Sequence, residues 1–387
     1  MRVLILADEL FASRERALLT RLEVGLADEG VRIVHAVPES LLEHTPGGAA
    51  DLSGIFSRVI TYTPSNLALT RPLNVRRLLR SIEKFIGDDG IDVVHAYGGG
   101  TWPLALDLAA AFDAAVVVEI WRAGLIDRAR SLRTSDAEPP VFIVCDPALE
   151  RAFADHPPSG RGPGLASTVR MVPWGVLSPP AVRAGPPPGQ TLSAMLIGNG
   201  RDAPAWEAAL TGLAHAAQSR EMLIFCDALA ARRANVWAVA RHLGLLDRLS
   251  LIDELEGRRD LLLAGDLLVL PEAHGEQRSV VLEAMAIGMS VIASEDPLSG
   301  LLRRGETAVL AAKADAASWR RELASWMSDP EAAAALRESA HRYVRLHRRA
   351  SDHVRGVLSV YEWLTSPNAI PIRQPAAAEG PIDAPNT

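Results

Sequence analysis

Residues 271–294 read PEAHGEQRSVVLEAMAIGMSVIAS, and this stretch predicts a strand end, a loop, a helix and a second strand. The helix starts near Ser279 and carries one acidic side chain, Glu283, among apolar residues. The first N–H groups of a helix lack partners within the helix and attract anions such as phosphate. A carboxylate one turn further along accepts hydrogen bonds from sugar hydroxyls. Together these groups favour a nucleotide-sugar over a bare nucleotide as the ligand.

The bulk composition indicates a globular chain of more than one domain. The 387 residues are 48% hydrophobic and 22% charged, and a domain averages roughly 150 residues. A net charge of −7 argues against nucleic acid as the main partner. Cys145 and Cys226 sit in apolar runs and predict neither a disulfide nor a metal site. No signal peptide or long apolar span is visible, so we expect a cytoplasmic protein, with peripheral membrane contact left open.

The first half of the chain alternates short apolar runs with longer amphipathic segments, which is typical of parallel sheets flanked by helices. Helical spacing of apolar residues predicts helices over 15–29 and 75–87. The predicted strands are residues 2–7, 31–37, 59–63, 93–97, 115–120, 141–144 and 168–173. Residues 178–190 are rich in Pro and Gly and predict a linker between domains.

The same alternation restarts after the linker. The predicted strands are residues 192–198, 222–227, 249–253, 267–270, 291–294 and 308–311. The predicted helices are residues 204–217, 228–242, 257–264, 280–288 and 316–328, followed by a helical region over 330–364. We therefore expect two Rossmann-like α/β domains, at 1–177 and 191–345, a closing helix at 346–364, and a disordered tail at 365–387.

The segment around Glu283 resembles the donor-binding segment of the family 4 glycosyltransferases. In that family an E-x7-E motif runs into LEAMA-x-G-x-P-V. Here LEAMA stands at 282–286, while Gly275 occupies the position of the first glutamate. Glu272 and Glu276 lie close to that position but out of register.

Other segments carry the same resemblance along the chain. They are IDVVHAYG at 91–98, MVPWGV at 171–176, Gly198, LLVLP at 267–271, GET at 305–307 and Tyr361. The resemblance implies a GT-B fold, in which two Rossmann-like domains face a cleft and the last helix crosses back to the first domain. It implies transfer of a sugar, with retention of configuration, from a donor in the second domain to an acceptor in the first. It also implies a UDP- or GDP-sugar as substrate, no other cofactor and no metal, with a glycan, a lipid-linked molecule or a small molecule as acceptor.

The resemblance also assigns residues to the donor. These are Gly198, Asn199, Arg201, Glu276, Ser279, Val280, Val281 and Glu283. Asn199 replaces the arginine that the family uses against the diphosphate, and no lysine follows it, so Arg201 is the candidate substitute. Glu276 stands in for the missing first glutamate or is a solvated loop charge. Ser279 is a phosphate ligand or a plain N-cap residue.

The acceptor-side candidates follow strands of the first domain, whose carboxyl ends are expected to face the cleft. They are His95, Tyr97, Gly98, Glu119 and Arg122. His95 and Glu276 are weak candidates for catalysis, and no catalytic residue is assigned. A histidine that is buried and satisfied in the core is the favoured alternative for His95.

Two other hypotheses remain beside the enzyme. The altered first glutamate and missing lysine favour a non-catalytic GT-B-fold protein that binds a ligand or acts as a scaffold. A dinucleotide oxidoreductase is disfavoured, because no G-x-G-x-x-G follows a strand.

Overall fold

A computed structural model describes residues 1–44, 58–63, 71–86, 90–132, 139–155, 169–187 and 189–366. Among these residues the chain forms two parallel sheets, each with helices on its faces. Residues 367–387 of the predicted tail and parts of some predicted elements lie outside the described residues, whereas Thr365 still belongs to the last described helix. Within the described ranges, no helix is both long and apolar enough to cross a bilayer.

The first sheet has seven strands in the order β3-β2-β1-β4-β5-β6-β7. These strands are β1 (Arg2–Ala7), β2 (Arg32–Pro38), β3 (Val59–Tyr62), β4 (Val93–Tyr97), β5 (Ala115–Ile120), β6 (Val141–Val144) and β7 (Val169–Met171). The helices around it are α1 (Glu9–Arg14), α2 (Arg16–Asp28), α3 (Glu39–His44), α4 (Arg71–Ile86), α5 (Trp102–Phe112), α6 (Gly124–Arg130) and α7 (Pro147–Ala154). Its central strands read as continuous apolar runs because both of their faces are covered by helices.

The second sheet has six strands in the order β10-β9-β8-β11-β12-β13. They are β8 (Leu192–Leu196), β9 (Met222–Asp227), β10 (Leu249–Ile252), β11 (Leu267–Leu270), β12 (Ser290–Ser294) and β13 (Val309–Ala311). Its helices are α8 (Ala203–Ser219), α9 (Ala228–Arg233), α10 (Val236–His242), α11 (Arg259–Leu263), α12 (Ser279–Ile287), α13 (Ala316–Ser328) and α14 (Pro330–His347), and α15 (Ala350–Thr365) ends the described chain.

Two predicted helices are each divided in two. The predicted helix at 228–242 breaks at Asn235, whose φ of 54° is left-handed. The predicted helical region at 330–364 breaks before Ala350 because Val176 pairs with the chain there. The N–H of Val176 donates to the carbonyl of Arg348 at 2.8 Å, and the carbonyl of Val176 accepts the N–H of Ala350 at 3.1 Å. The closing helix therefore starts at Ala350, four residues later than the predicted 346.

Helix α15 returns to the first domain. Val357 and Tyr361 are fully buried in the core cluster that contains the strands of the first sheet. Gly25 of α2 lies directly against Val354, where a Cβ atom at Gly25 would come within 2.5 Å of a valine methyl. Two Rossmann-like domains joined by a helix that crosses back confirm the GT-B architecture expected from the sequence.

The strand orders fix where a ligand can lie. In each sheet the order reverses beside the first strand, between β1 and β4 and between β8 and β11. Ligands of such sheets bind outside the carboxyl ends of the strands at this switch point. In the first domain the point lies near Asp8 and Gly98, and in the second near Gly198 and Glu272.

Candidate active site

A pocket of about 400 Å³ lies between the two domains at their switch points. Arg122 and Gly124 line it from the first domain. The residues that line it from the second domain are Asn199, Arg201, Asp202, Pro204, His274 and Glu276. Three predicted donor residues, Asn199, Arg201 and Glu276, therefore meet in one place with the predicted acceptor-side residue Arg122.

The loop after β8 is shaped by Glu272. This carboxylate accepts the N–H of Arg201 at 3.1 Å and of Asp202 at 2.7 Å. Burial opposes ionisation of Glu272, but these two hydrogen bonds, together with smaller contributions from Trp206 and His274, outweigh it and lower its pKa. Gly198 has no room for a side chain, since a Cβ atom there would lie 2.8 Å from Trp206 and 3.3 Å from Glu272. The absence of a side chain at Gly198 thus leaves room for Glu272. Arg201 is exposed and lines the pocket.

Glu276 is a buried side chain that contacts several charged and polar groups, and not a solvated loop charge. Its carboxylate accepts from Arg14 at 3.0 Å and from Arg278 at 2.9 Å, and also from the side-chain amide of Asn199. Only 6% of the residue is exposed. Arg14 belongs to α1, so Glu276 links the two domains directly.

The N-terminus of α12 is occupied by a carboxylate of the protein itself. The N–H of Ser279 donates to both carboxylate oxygens of Glu15, at 3.2 and 3.3 Å. The N-cap residue of α12, Arg278, supplies no side-chain cap. Ser279 is therefore the first residue of α12 and not its N-cap. Glu15, which is 1% exposed, lies at the position predicted for a donor phosphate.

The two neighbouring valines, Val280 and Val281, are less available to a donor than the sequence predicts. The N–H of Val281 donates to the carbonyl of Arg278 at 3.1 Å. Val280 is fully buried.

Glu283 is paired with two arginines. One carboxylate oxygen lies 2.6 Å from Arg21 Nη1, and the other lies 3.0 Å from Arg259 Nε. Arg259 also donates to Ser279 Oγ at 3.1 Å and to the main-chain carbonyl of Arg14 at 2.9 Å. The side chain predicted to bind donor hydroxyls is thus engaged by cations from both domains.

The same network extends to Arg278 and Glu256, which form a buried ion pair. Arg14 Nε lies 3.8 Å from Glu256. Burial disfavours the charge on Glu256, yet Arg278 and Arg14 outweigh it and lower its pKa. Burial raises the pKa of Glu15, and the charge of Arg259 offsets this only in part.

Three of the predicted acceptor-side residues belong to the core. His95 is fully buried, and its Nδ1 lies 2.7 Å from the hydroxyl of Tyr361 on α15. Glu119 accepts from Trp174 Nε1 at 2.7 Å, and Tyr97 is 1% exposed and stacks on His95. The prediction that these residues face the acceptor is corrected, because α15 covers them when it crosses back. For His95, full burial and the contact of its Nδ1 with Tyr361 favour the alternative of a core histidine.

Gly98 and Arg122 remain near the cleft. A Cβ atom at Gly98, where φ is 91°, would lie 1.9 Å from the carboxylate of Asp8. Gly98 therefore makes room for Asp8, which caps α1 by accepting the N–H of Phe11 at 2.9 Å. Arg122 stacks over Trp121, with its Cζ 5.2 Å from the ring centre, and turns towards the pocket.

The sequence patterns did not indicate the charged residues that close the cleft, above all Glu15, Arg21 and Arg259. One signal for Glu15 was present. As the N-cap residue of α2, it continues the i, i+3, i+4 and i+7 stripe of Leu18, Leu19 and Leu22, so an acid stands at the start of the apolar face of the helix. The arginines gave no such signal, because arginine is common throughout the chain.

Comparison with known proteins shows which family the second domain is similar to. Residues 192–329 match the family Glycosyl transferases group 1, and this match covers most of the second domain, which contains the segment that resembles such enzymes in sequence. No curated protein matches the whole sequence significantly.

Solved structures agree with the fold over nearly the whole chain. The sucrose-phosphate synthase of Thermosynechococcus elongatus is 15% identical with a TM-score of 0.65, and the alignment covers 94% of this chain and 99% of that one. HepE of Anabaena, solved with UDP-glucose, is 14% identical with a TM-score of 0.67 and coverages of 93% and 100%. A glycosyltransferase of Rickettsia africae is 12% identical with a TM-score of 0.65 and coverages of 95% and 99%. At these identities the likeness establishes the GT-B fold.

Proposed function

We propose that this protein is a nucleotide-sugar-dependent glycosyltransferase that moves a sugar to a glycan or related acceptor with retention of configuration. The observation that carries the proposal is the pocket between the domains. It lies at the carboxyl ends of both sheets, and the wall formed by the second domain belongs to the group 1 match.

Three charged side chains of the pocket have a role in this proposal. Arg201 and Arg122 bind the diphosphate, since a planar guanidinium pairs well with phosphate oxygens. Their positive charge offsets the charge that builds on the leaving diphosphate during transfer. Glu276 faces the sugar of the donor. The nucleotide-sugar is the substrate, and the proposal includes no other cofactor.

UDP-glucose is the first donor to test, because the HepE structure is a complex with it. Titration calorimetry with UDP-glucose and GDP-mannose, followed by an assay for released nucleotide, measures binding and turnover separately. Arg201→Met should weaken donor binding about tenfold or more, since a lost hydrogen bond to a charged group costs about 1.5–3 kcal/mol. Arg320→Met, on an exposed face of α13, is the matched control and should bind as the unchanged protein does. Equal affinities for both variants, or no binding of either donor, would contradict the proposal.

A non-catalytic GT-B-fold binding protein is the second candidate. The observation that favours it is the engagement of Glu283 by Arg21 and Arg259, together with Asn199 where the family has arginine. Nucleotide binding without product from any acceptor would support it. Turnover that Glu283→Ala abolishes would exclude it.

A further inference from the structure

The corner between α1 and α2 contacts the donor-binding segment of the second domain at three points. Arg14, Glu15 and Arg21 lie within eight consecutive residues of the first domain. Each of them reaches a different residue that the sequence assigns to the donor. We call residues 14–21 the plug.

The first contact is made by Glu15. Its carboxylate accepts the N–H of Ser279 at the N-terminus of α12, and Arg259 Nη2 lies 3.7 Å from it. A carboxylate between a helix N-terminus and a guanidinium has the charge and the acceptor oxygens of a phosphate. The side chain of Glu15 is therefore an internal counterpart of the anion that a donor would bring.

The second contact is the ion pair of Arg21 with Glu283. Arg21 Nη1 lies 2.6 Å from this carboxylate, and Arg259 holds its other oxygen at 3.0 Å. Glu283 is 8% exposed. The two arginines compete with ribose hydroxyls for these carboxylate oxygens. Because Glu283 is also buried, a nucleoside reaches it only when the first domain moves away.

The third contact is that of Arg14 with Glu276 at 3.0 Å. It lies at the edge of the open pocket, where Glu276 meets Asn199. Glu276 thus contacts the plug through Arg14 and also lines the open pocket. Its volume of about 400 Å³ falls near the lower end of the range of roughly 300–1,000 Å³ for small-molecule sites.

We propose that the plug is an internal competitor of the donor, so that the nucleotide enters only after residues 14–21 separate from α12. This inference rests on the proposed function and names a regulation of the same site. The donor's apparent association constant equals its intrinsic value multiplied by the fraction of molecules in which the plug is open. Partners that pull α1 and α2 away from the second domain would raise that affinity.

The test uses the variant Glu15→Gln/Arg21→Met in the full chain. The substitutions remove one anion and one cation from the interface and keep the side chains close to their original size. Hydrogen exchange in the nucleotide-free protein should become faster at the amides of 279–283. The dissociation constant for UDP should fall about tenfold, as expected if most molecules are closed.

Glu23→Gln is the matched control. Glu23 is a buried acid on the same helix, but its partner is His35 of the first domain, at 2.9 Å. This variant should leave exchange at 279–283 and the affinity for UDP unchanged. Circular dichroism establishes that each variant is folded.

A second measurement needs no substitution. Saturating UDP should speed exchange within residues 14–21 of the unchanged protein, because the bound nucleotide displaces the plug. Protection of these residues by UDP would overturn the inference, since it would make them ligands of the nucleotide. Unchanged exchange at 279–283 in Glu15→Gln/Arg21→Met would overturn it as well. Faster exchange there, with no binding of UDP or UDP-glucose by any variant, would instead overturn the proposed function.

Discussion

Glu119 and His95 illustrate what burial does to single ionisable residues. Both are almost fully buried, and their closest side-chain atoms are 3.4 Å apart. Burial raises the pKa of Glu119 to about 8, although the hydrogen bond from Trp174 opposes this. Burial lowers the pKa of His95 to about 3. Near neutral pH both groups are therefore uncharged, which lets them lie beneath α15 without a counterion.

This pair predicts a pH dependence of stability. Between about pH 4.5 and pH 8 the folded protein keeps a proton on Glu119 that the unfolded chain releases, so the contribution of Glu119 to the free energy of unfolding falls as pH rises. Glu119→Gln cannot ionise and keeps an acceptor for Trp174. Its free energy of unfolding, relative to the unchanged protein, should rise by up to about 1.4 kcal/mol per pH unit in that interval.

Urea unfolding at pH 5, 6, 7 and 8 measures the effect. Glu29→Gln, at an exposed position near the end of α2, is the control and should follow the unchanged protein at every pH. A constant difference between Glu119→Gln and the unchanged protein would refute the assignment of a buried, protonated Glu119.

The contact between α2 and α15 shows how one small residue sets the packing of two elements. Gly25 lies inside α2, where alanine is normally favoured over glycine by about 1 kcal/mol. Here a Cβ atom would meet the Val354 methyls at 2.5 and 3.0 Å. Such overpacking typically costs about 1–3 kcal/mol. Glycine at this position therefore allows the closing helix to lie against the first domain.

Gly25→Ala should destabilise the protein by about 1 kcal/mol, because the clash exceeds the gain in helix propensity. In the double variant Gly25→Ala/Val354→Ala the cost should be smaller than the sum of the single costs. Thermal unfolding of the four proteins of this cycle measures the coupling. Gly124→Ala, where no atom lies within 4 Å of the new Cβ, should be neutral or slightly stabilising. Additive effects in the cycle would show that the helices do not meet at Gly25.

At the scale of the whole molecule, the two domains are joined through buried charges. Arg278 is 2% exposed and pairs with Glu256 and Glu276, and Arg14 of the first domain contacts the same two acids. Such a network adds little net stability compared with apolar packing. Its loss is costly because the remaining charges stay buried without partners. The network therefore specifies how the domains meet more than it strengthens the fold.

Arg278→Met should cost about 3–5 kcal/mol, since it leaves Glu256 and Glu276 without their main partner. Differential scanning calorimetry should show a lower Tm. Arg355→Met breaks a pair with Asp352 at 3.2 Å in which the arginine side chain is 76% exposed. This control should change stability by no more than about 1 kcal/mol. A similar, small loss for both variants would argue that the network at Arg278 is open to water.

Much of this molecule follows from local patterns in its sequence. Apolar runs at 2–7, 93–97 and 115–120 match β1, β4 and β5 residue for residue, because a strand covered on both faces needs few polar positions. The helix after residue 278 and its acid at 283 were equally visible. The tertiary structure alone decided which charges meet. Ser279 and Glu15 are 264 positions apart, and so are brought together only by the docking of the two domains and the return of α15. A local pattern reports how each segment buries its own apolar face, whereas the partner of a buried charge depends on the whole chain. For that reason the sequence predicted a donor site, and only the structure showed that Glu15 and Arg21 of the first domain contact residues of this predicted site.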